Sequence, residues 1–123
     1  MRARMLAIAL ATAAALVLSG CFLLPGPPDG APSIRGTITS ITPGADGLGS
    51  MLVEGEVADG TSFDKASVNV TKKAEVLYEG ADGWSRYSFG ELEVGDTVAV
   101  WFTGPVAESY PVQAMADTVV YIP

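Results

Sequence analysis

The sequence predicts an all-β domain, a small five- to six-stranded OB-like barrel, and three observations carry that prediction. Beyond Ser33 no segment places apolar residues at helical spacing over three turns. Alternation of apolar and polar residues recurs instead, punctuated by Gly and Asp at short intervals. The segment 34–123 is also short, and five or six strands in so small a chain leave long exposed edges unless the sheet closes on itself. A β-sandwich is the alternative, but it ordinarily uses about seven strands in about 100 residues. The interior of a barrel this size is filled by side chains, so any ligand is expected on the outside.

Taken in order, a first strand is expected over Ile34 to Ile41, with Ile34, Gly36 and Ile38 on one face and Arg35, Thr37 and Thr39 on the other. Pro43-Gly44-Ala45-Asp46-Gly47-Leu48-Gly49 forces a loop. A second strand, Met51 to Val57, sets Met51, Val53 and Val57 against the charged Glu54 and Glu56, and Asp59-Gly60 supplies turn chemistry. A third stretch starts at Ala66 and continues through Val68 and Val70 to Val76 and Tyr78. Asp82-Gly83 then signals a hairpin ahead of Trp84 to Phe89. Phe89, Leu92 and Val94 read as a short helical turn or loop feeding the next strand. That strand, Thr97 to Thr103, carries Val98, Val100 and Phe102 on one face and Thr97, Ala99, Trp101 and Thr103 on the other, so both faces have apolar surface to bury. The last strand, Val112 to Ile122, brings Val112, Ala114, Ala116, Val120 and Ile122 together unless a bulge intervenes.

Ahead of this domain stand two further segments. Residues 1–20 have the anatomy of a secretory signal: Arg2 and Arg4, then an uncharged run from Met5 to Leu18 too short to span a bilayer. The run ends in Leu18-Ser19-Gly20-Cys21, which resembles the lipobox of bacterial lipoproteins. The resemblance implies cleavage between Gly20 and Cys21 and a diacylglyceryl group on the Cys21 sulfur. Two acyl chains hold a protein at a membrane where one holds it only marginally. Segment 21–33 then reads as the lipidated cysteine and a tether, Phe-Leu-Leu-Pro-Gly-Pro-Pro-Asp-Gly-Ala-Pro over positions 22–32, because its prolines and glycines resist any regular ladder. The expected address is the extracytoplasmic face of a cell membrane, with the lipid on Cys21 as the membrane partner.

Charge and composition narrow the function. Removal of Arg2 and Arg4 leaves five basic against fourteen acidic residues, a net charge of −9. Such a chain repels phosphate backbones and anionic headgroups, so nucleic acid is not expected as a partner. The sequence has no histidine, which removes the commonest general base, zinc ligand and pH switch together, and no metal or cofactor is expected. Its single cysteine excludes an internal disulfide.

The short motifs are weak. Ser62-Phe63-Asp64-Lys65 fits the Ser-x-x-Lys pattern of serine β-lactamases, but the further Ser-Asp-Asn and Lys-Thr-Gly motifs are absent. Gly44-Ala45-Asp46-Gly47-Leu48-Gly49 lacks the lysine and the helix of a phosphate loop. Asp46, Asp59, Asp64 and Asp82 fall in loops where calcium could bind, yet without EF-hand spacing. Glu54 and Glu56, two carboxylates on one strand face, read as a wet face rather than a glycosidase pair. Asn69-Val70-Thr71 fits a glycosylation acceptor that a bacterial lipobox makes moot.

Leu92-Glu93-Val94-Gly95-Asp96-Thr97-Val98-Ala99-Val100-Trp101-Phe102, with the following Gly104 to Ala114, resembles a family of small bacterial secreted lipoproteins with a compact β-barrel domain. The resemblance is close over the last quarter of the chain and loose elsewhere. It implies the barrel and the address, and no catalytic residue.

The stretch singled out for function is Gly104 to Pro111, where a carboxylate, Glu108, and an aromatic, Tyr110, share a proline-stiffened connection with Pro111 at its end. With Trp101 on the less apolar face nearby, Trp101, Glu108, Tyr110 and Pro111 form the expected binding surface of a non-enzymatic module, taking an envelope protein or ligand. The alternatives are a structural subunit or spacer of an envelope complex and a small hydrolase.

Overall fold

The computed structural model describes residues 26–123, so the signal segment, Gly20 and Cys21 lie outside the described residues. Among the described residues the chain forms seven strands: β1 (Ile34–Pro43), β2 (Gly49–Glu54), β3 (Lys65–Val70), β4 (Glu75–Gly80), β5 (Gly83–Arg86), β6 (Thr97–Ala107) and β7 (Val112–Ile122). Short 3-10 turns occupy Ala45–Gly47 and Phe89–Glu91.

Five of these strands close a barrel. The order β3-β2-β1-β6-β7 is antiparallel throughout, and a parallel β3–β7 pairing joins its ends. Three consecutive strands with a later one returning beside the first make a Greek key. Closure is what removes the exposed edges that an open sheet of this length would carry. The two extra strands, β4 and β5, form a hairpin paired to the same edge of β7 that β3 uses: β3 takes residues 112–115 and β4 takes 118–121. The third stretch of the sequence is thus two strands, broken at Thr71–Ala74 where Ala74 N–H donates to the Thr71 carbonyl.

The core lies inside the barrel, where Ile34, Ile38, Val53, Val68, Val98, Val100 and Val119 are fully buried and Phe89 and Leu92 close one end. Gly36 belongs to the same face by parity but packs nothing, because a Cβ there would run into the Glu54 carbonyl oxygen where β1 and β2 cross closely. A second cluster, Leu77, Ala99 and Val120 with Trp84, Trp101 and Ile122 around them, sits on the outer face of β4, β6 and β7. The expectation that both faces of β6 bury apolar surface therefore holds.

Three readings of the sequence are corrected by the strand geometry. Val57 is exposed, because β2 ends at Glu54 and Gly55 N–H turns to the Asp64 carbonyl. Along β7, Trp101 pairs with Thr118 but Phe102 with Ala116, so Asp117 is the extra residue of a bulge. Beyond it the faces exchange: Val119 joins Ala116 in the barrel core and Val120 joins the outer cluster. Finally, β6 runs on to Ala107 through an irregular stretch between Thr103 and Ala107, which shortens the expected Gly104–Pro111 connection to Glu108–Pro111.

Segment 26–33, expected as a tether, lies against the domain. Pro32 is buried, and the Trp101 indole N–H donates to the Gly30 carbonyl at 3.3 Å.

Candidate binding surface

The parallel β3–β7 pairing starts with Ala66 opposite Val112, so the residues two positions earlier, Asp64 and Tyr110, arrive side by side. The Tyr110 hydroxyl donates to Asp64 Oδ2 at 3.1 Å, and the Lys65 ammonium stands 5.5 Å from the centroid of the Tyr110 ring. Across the β2–β3 ladder Lys65 Nζ lies 3.2 Å from Glu54 Oε1, as their opposition in register requires. Each partner shifts the other's titration. The Glu54 carboxyl is held below the ordinary carboxylate value by a hydrogen bond from the Thr39 hydroxyl and then by Lys65. Glu54 in turn pushes the Lys65 ammonium above the ordinary lysine value. The Tyr110 phenol is raised, first by its hydrogen bond to Asp64.

From this corner a polar face spreads over the outside of β2, β3 and β7. Core residues Met51, Val53, Ala66, Val68, Ala114 and Ala116 point inward, so Ser50, Leu52, Ser67, Asn69, Gln113 and Met115 point out. Register brings them into rows: Leu52 beside Ser67 and Ser67 beside Gln113, then Ser50 beside Asn69 and Asn69 beside Met115. At the far end of the face a cavity of about 320 Å³ opens between Ser50, Asn69 and Met115, the end of β1 at Thr42 and Pro43, and Leu48 of the following loop. The Tyr110 ring, 69% exposed, marks the near end.

The four residues expected to act together are divided by the fold. Tyr110 and Pro111 stand at the start of β7 beside β3, and Ser109 Oγ donates to the Pro111 carbonyl at 2.8 Å, tightening the hairpin. Glu108 is exposed at its tip and makes no ion pair among the described residues. Trp101 belongs to the outer cluster with Leu77, Ala99 and Val120, on a different face from Tyr110. Ser67, Asn69, Gln113 and Met115 escaped the sequence reading because the parallel register that aligns them joins segments far apart in the chain.

Catalytic constellations are thin. Lys65 of the Ser-x-x-Lys stretch is held protonated by Glu54, opposite to what activating a serine requires. Among the described residues no three metal-ligating side chains gather, and no buried side-chain polar atom lacks a partner. A second cavity, about 330 Å³, lies between the β1–β2 loop, the β3–β4 turn and Tyr87, with Lys72 and Arg86 at its rim. Asp46 and Glu75 line it as well, and Lys72 Nζ lies 3.7 Å from Asp46 Oδ2.

Neither the comparison with curated proteins nor that with solved structures gives a match. A family model does match, over residues 50–122, from β2 to the last residue of β7. The match covers more than half of the chain, and the protein therefore belongs to the family described as a protein of unknown function, DUF3221.

Proposed function

We propose that this is an extracytoplasmic lipoprotein, cut before Cys21 and anchored by two acyl chains, whose barrel is a non-enzymatic binding module for an uncharged, hydroxyl-rich envelope polymer such as a glycan strand. The observation that carries the reading is the β2–β3–β7 face. Its side chains are hydroxyls and amides in register with Leu52 and Met115 among them, its charges Glu54 and Lys65 cancel as a pair while Asp64 holds the Tyr110 hydroxyl, and an exposed tyrosine ring and a cavity bound its two ends. Sugars present hydroxyls to polar side chains and apolar ring faces to aromatics, and this face offers both. We take the five-stranded Greek-key closure as OB-type, and barrels of that type bind oligosaccharides and oligonucleotides over strands 2 and 3 between two loops. A net charge of −9 for the processed chain favours the neutral polymer over the polyanion.

Co-sedimentation of the purified protein with insoluble cell-wall glycan tests the reading. Wild type is expected to sediment, and Tyr110→Ala with Gln113→Ala to weaken binding about tenfold, the equivalent of ~1.4 kcal/mol. A folded double variant that sediments as wild type does would remove the face from the function. Failure of the wild type to sediment, with an envelope protein cross-linked through Tyr110 instead, would replace the polymer by a protein partner.

A further inference from the structure

The outer cluster sits on the wrong side of the sheet to be covered by the barrel, and the chain's own approach to β1 covers it. Trp84 on β5 and Trp101 on β6 stand beside Leu77, Ala99 and Val120 on that face. Segment 26–33 meets the two tryptophans at Gly26 and at Gly30. At one end a Cβ built on Gly26 would lie 3.6 Å from Trp84 Cδ1, an ordinary van der Waals contact. In the middle the Trp101 indole N–H donates to the Gly30 carbonyl at 3.3 Å. At the other end Ser33 is fixed four times over. Its N–H donates to Val100 O at 2.8 Å, its carbonyl accepts from Ser62 and Phe63, and its hydroxyl accepts from the Phe102 N–H at 3.1 Å. Indole faces with an N–H aimed at a carbonyl are what a proline-rich extended segment docks on, and Pro27, Pro28 and Pro32 lower the entropy lost in ordering this one.

We propose that residues 26–33 are a strap docked in cis on Trp84 and Trp101, and that this strap orients the barrel at the membrane. Only residues 22–25 then separate Cys21 from the docked segment. Five Cα–Cα steps separate Cys21 from Gly26 and span at most about 18 Å, so the Trp84 side of the domain is held near the attachment point. In the closed order β1-β2-β3-β7-β6, the β2–β3 side lies across the barrel from β6. The polar face is thereby turned away from the bilayer. The strap itself stands on contacts within the domain, whereas the orientation rests on the anchor proposed above.

Nitroxide quenching separates these two statements. The test uses the mature lipidated protein in phosphatidylcholine vesicles, where acylation of Cys21 makes an introduced cysteine the only free thiol. A nitroxide on Asp29→Cys is expected to quench most of the tryptophan emission, with recovery on unfolding in urea. Adding Trp101→Phe, which keeps the ring apolar but removes the N–H, should restore emission from Trp84. Unquenched tryptophans in the folded labelled chain would overturn the strap. For orientation, a fluorophore on Glu79→Cys, beside Trp84 in the β4–β5 ladder, is compared with one on Asn69→Cys, using lipids that carry nitroxide headgroups. Strong quenching at position 79 and little at 69 is expected, and equal quenching would overturn the orientation. A chain quenched from position 29 that fails to join vesicles would leave the strap standing and remove the anchor and the orientation together.

Discussion

Lys65 answers to three neighbours at once: Glu54 across the ladder, the Tyr110 ring above it and Asp64 beside it in the chain. The pair with Glu54 has a defined pH window. Glu54 is lowered in the fold, so its contribution is complete above the ordinary carboxylate value of 4.5 and is lost as pH falls through the lower folded value. Lys65 is raised, so its contribution is complete below the ordinary 10.5 and is lost as pH rises through the higher folded value. Both groups are in contact with solvent, and the contribution is accordingly small and sensitive to salt. Lys65→Met should therefore lower the urea midpoint slightly near neutral pH and converge with wild type at both extremes. A difference that stays constant into strong acid would contradict the pairing. The sequence displayed Lys65 beside Ser62 and invited a nucleophile. What it could not display was Glu54, eleven residues earlier, which fixes the ammonium in its charged form.

At the scale of elements, β7 shows where sequence pattern is sufficient and where it is not. Its bounds, Val112–Ile122, are those the alternation predicts, since both ends are set by local chemistry, Pro111 before and Pro123 after. Its faces are not. A run that alternates Ala114, Ala116, Val120 and Ile122 on one side is split by Asp117, and both Val119 and Val120 end fully or almost fully buried in different clusters. Without the bulge the two would exchange places, Val120 facing the barrel core and Val119 the outer cluster. Val119→Ala and Val120→Ala are each expected to cost on the order of 2 kcal/mol, read from the shift of the urea transition. Tolerance of alanine at either position would argue against the burial of that side chain in its cluster. The same limit hid the face proposed for binding. Polar residues at 67, 69 and 113 look like any wet strand surface until a parallel register, which no local signal encodes, sets β3 against β7. Trp101 and Tyr110 were legible as aromatics with something to do. Their separation follows from strand parity, which sends Trp101 to the outer cluster, and from the hairpin, which carries Tyr110 over to β3.

At the scale of the whole molecule the all-β barrel is legible from period-two alternation and short length, and the proposed address rests on a different signal in residues 1–21. Closure explains how so few residues bury a continuous core without leaving a long free edge, and the β4–β5 hairpin uses the part of β7 that β3 leaves unpaired. The proposed tethered binder rests in the sequence on the strong acidity and on the lipobox-like Leu18-Ser19-Gly20-Cys21. On that account the membrane attachment supplies the location, the strap supplies the orientation and the polar face supplies the recognition. The location and the orientation both depend on what happens at Cys21. Intact-mass analysis of the protein recovered from the membrane fraction tests this most directly. The account predicts a mature chain that begins at Cys21 and carries two acyl chains, with or without a third on the new amino group, and a precursor left unprocessed by Cys21→Ser. A mature species that begins elsewhere, or one with an unmodified cysteine, would contradict it.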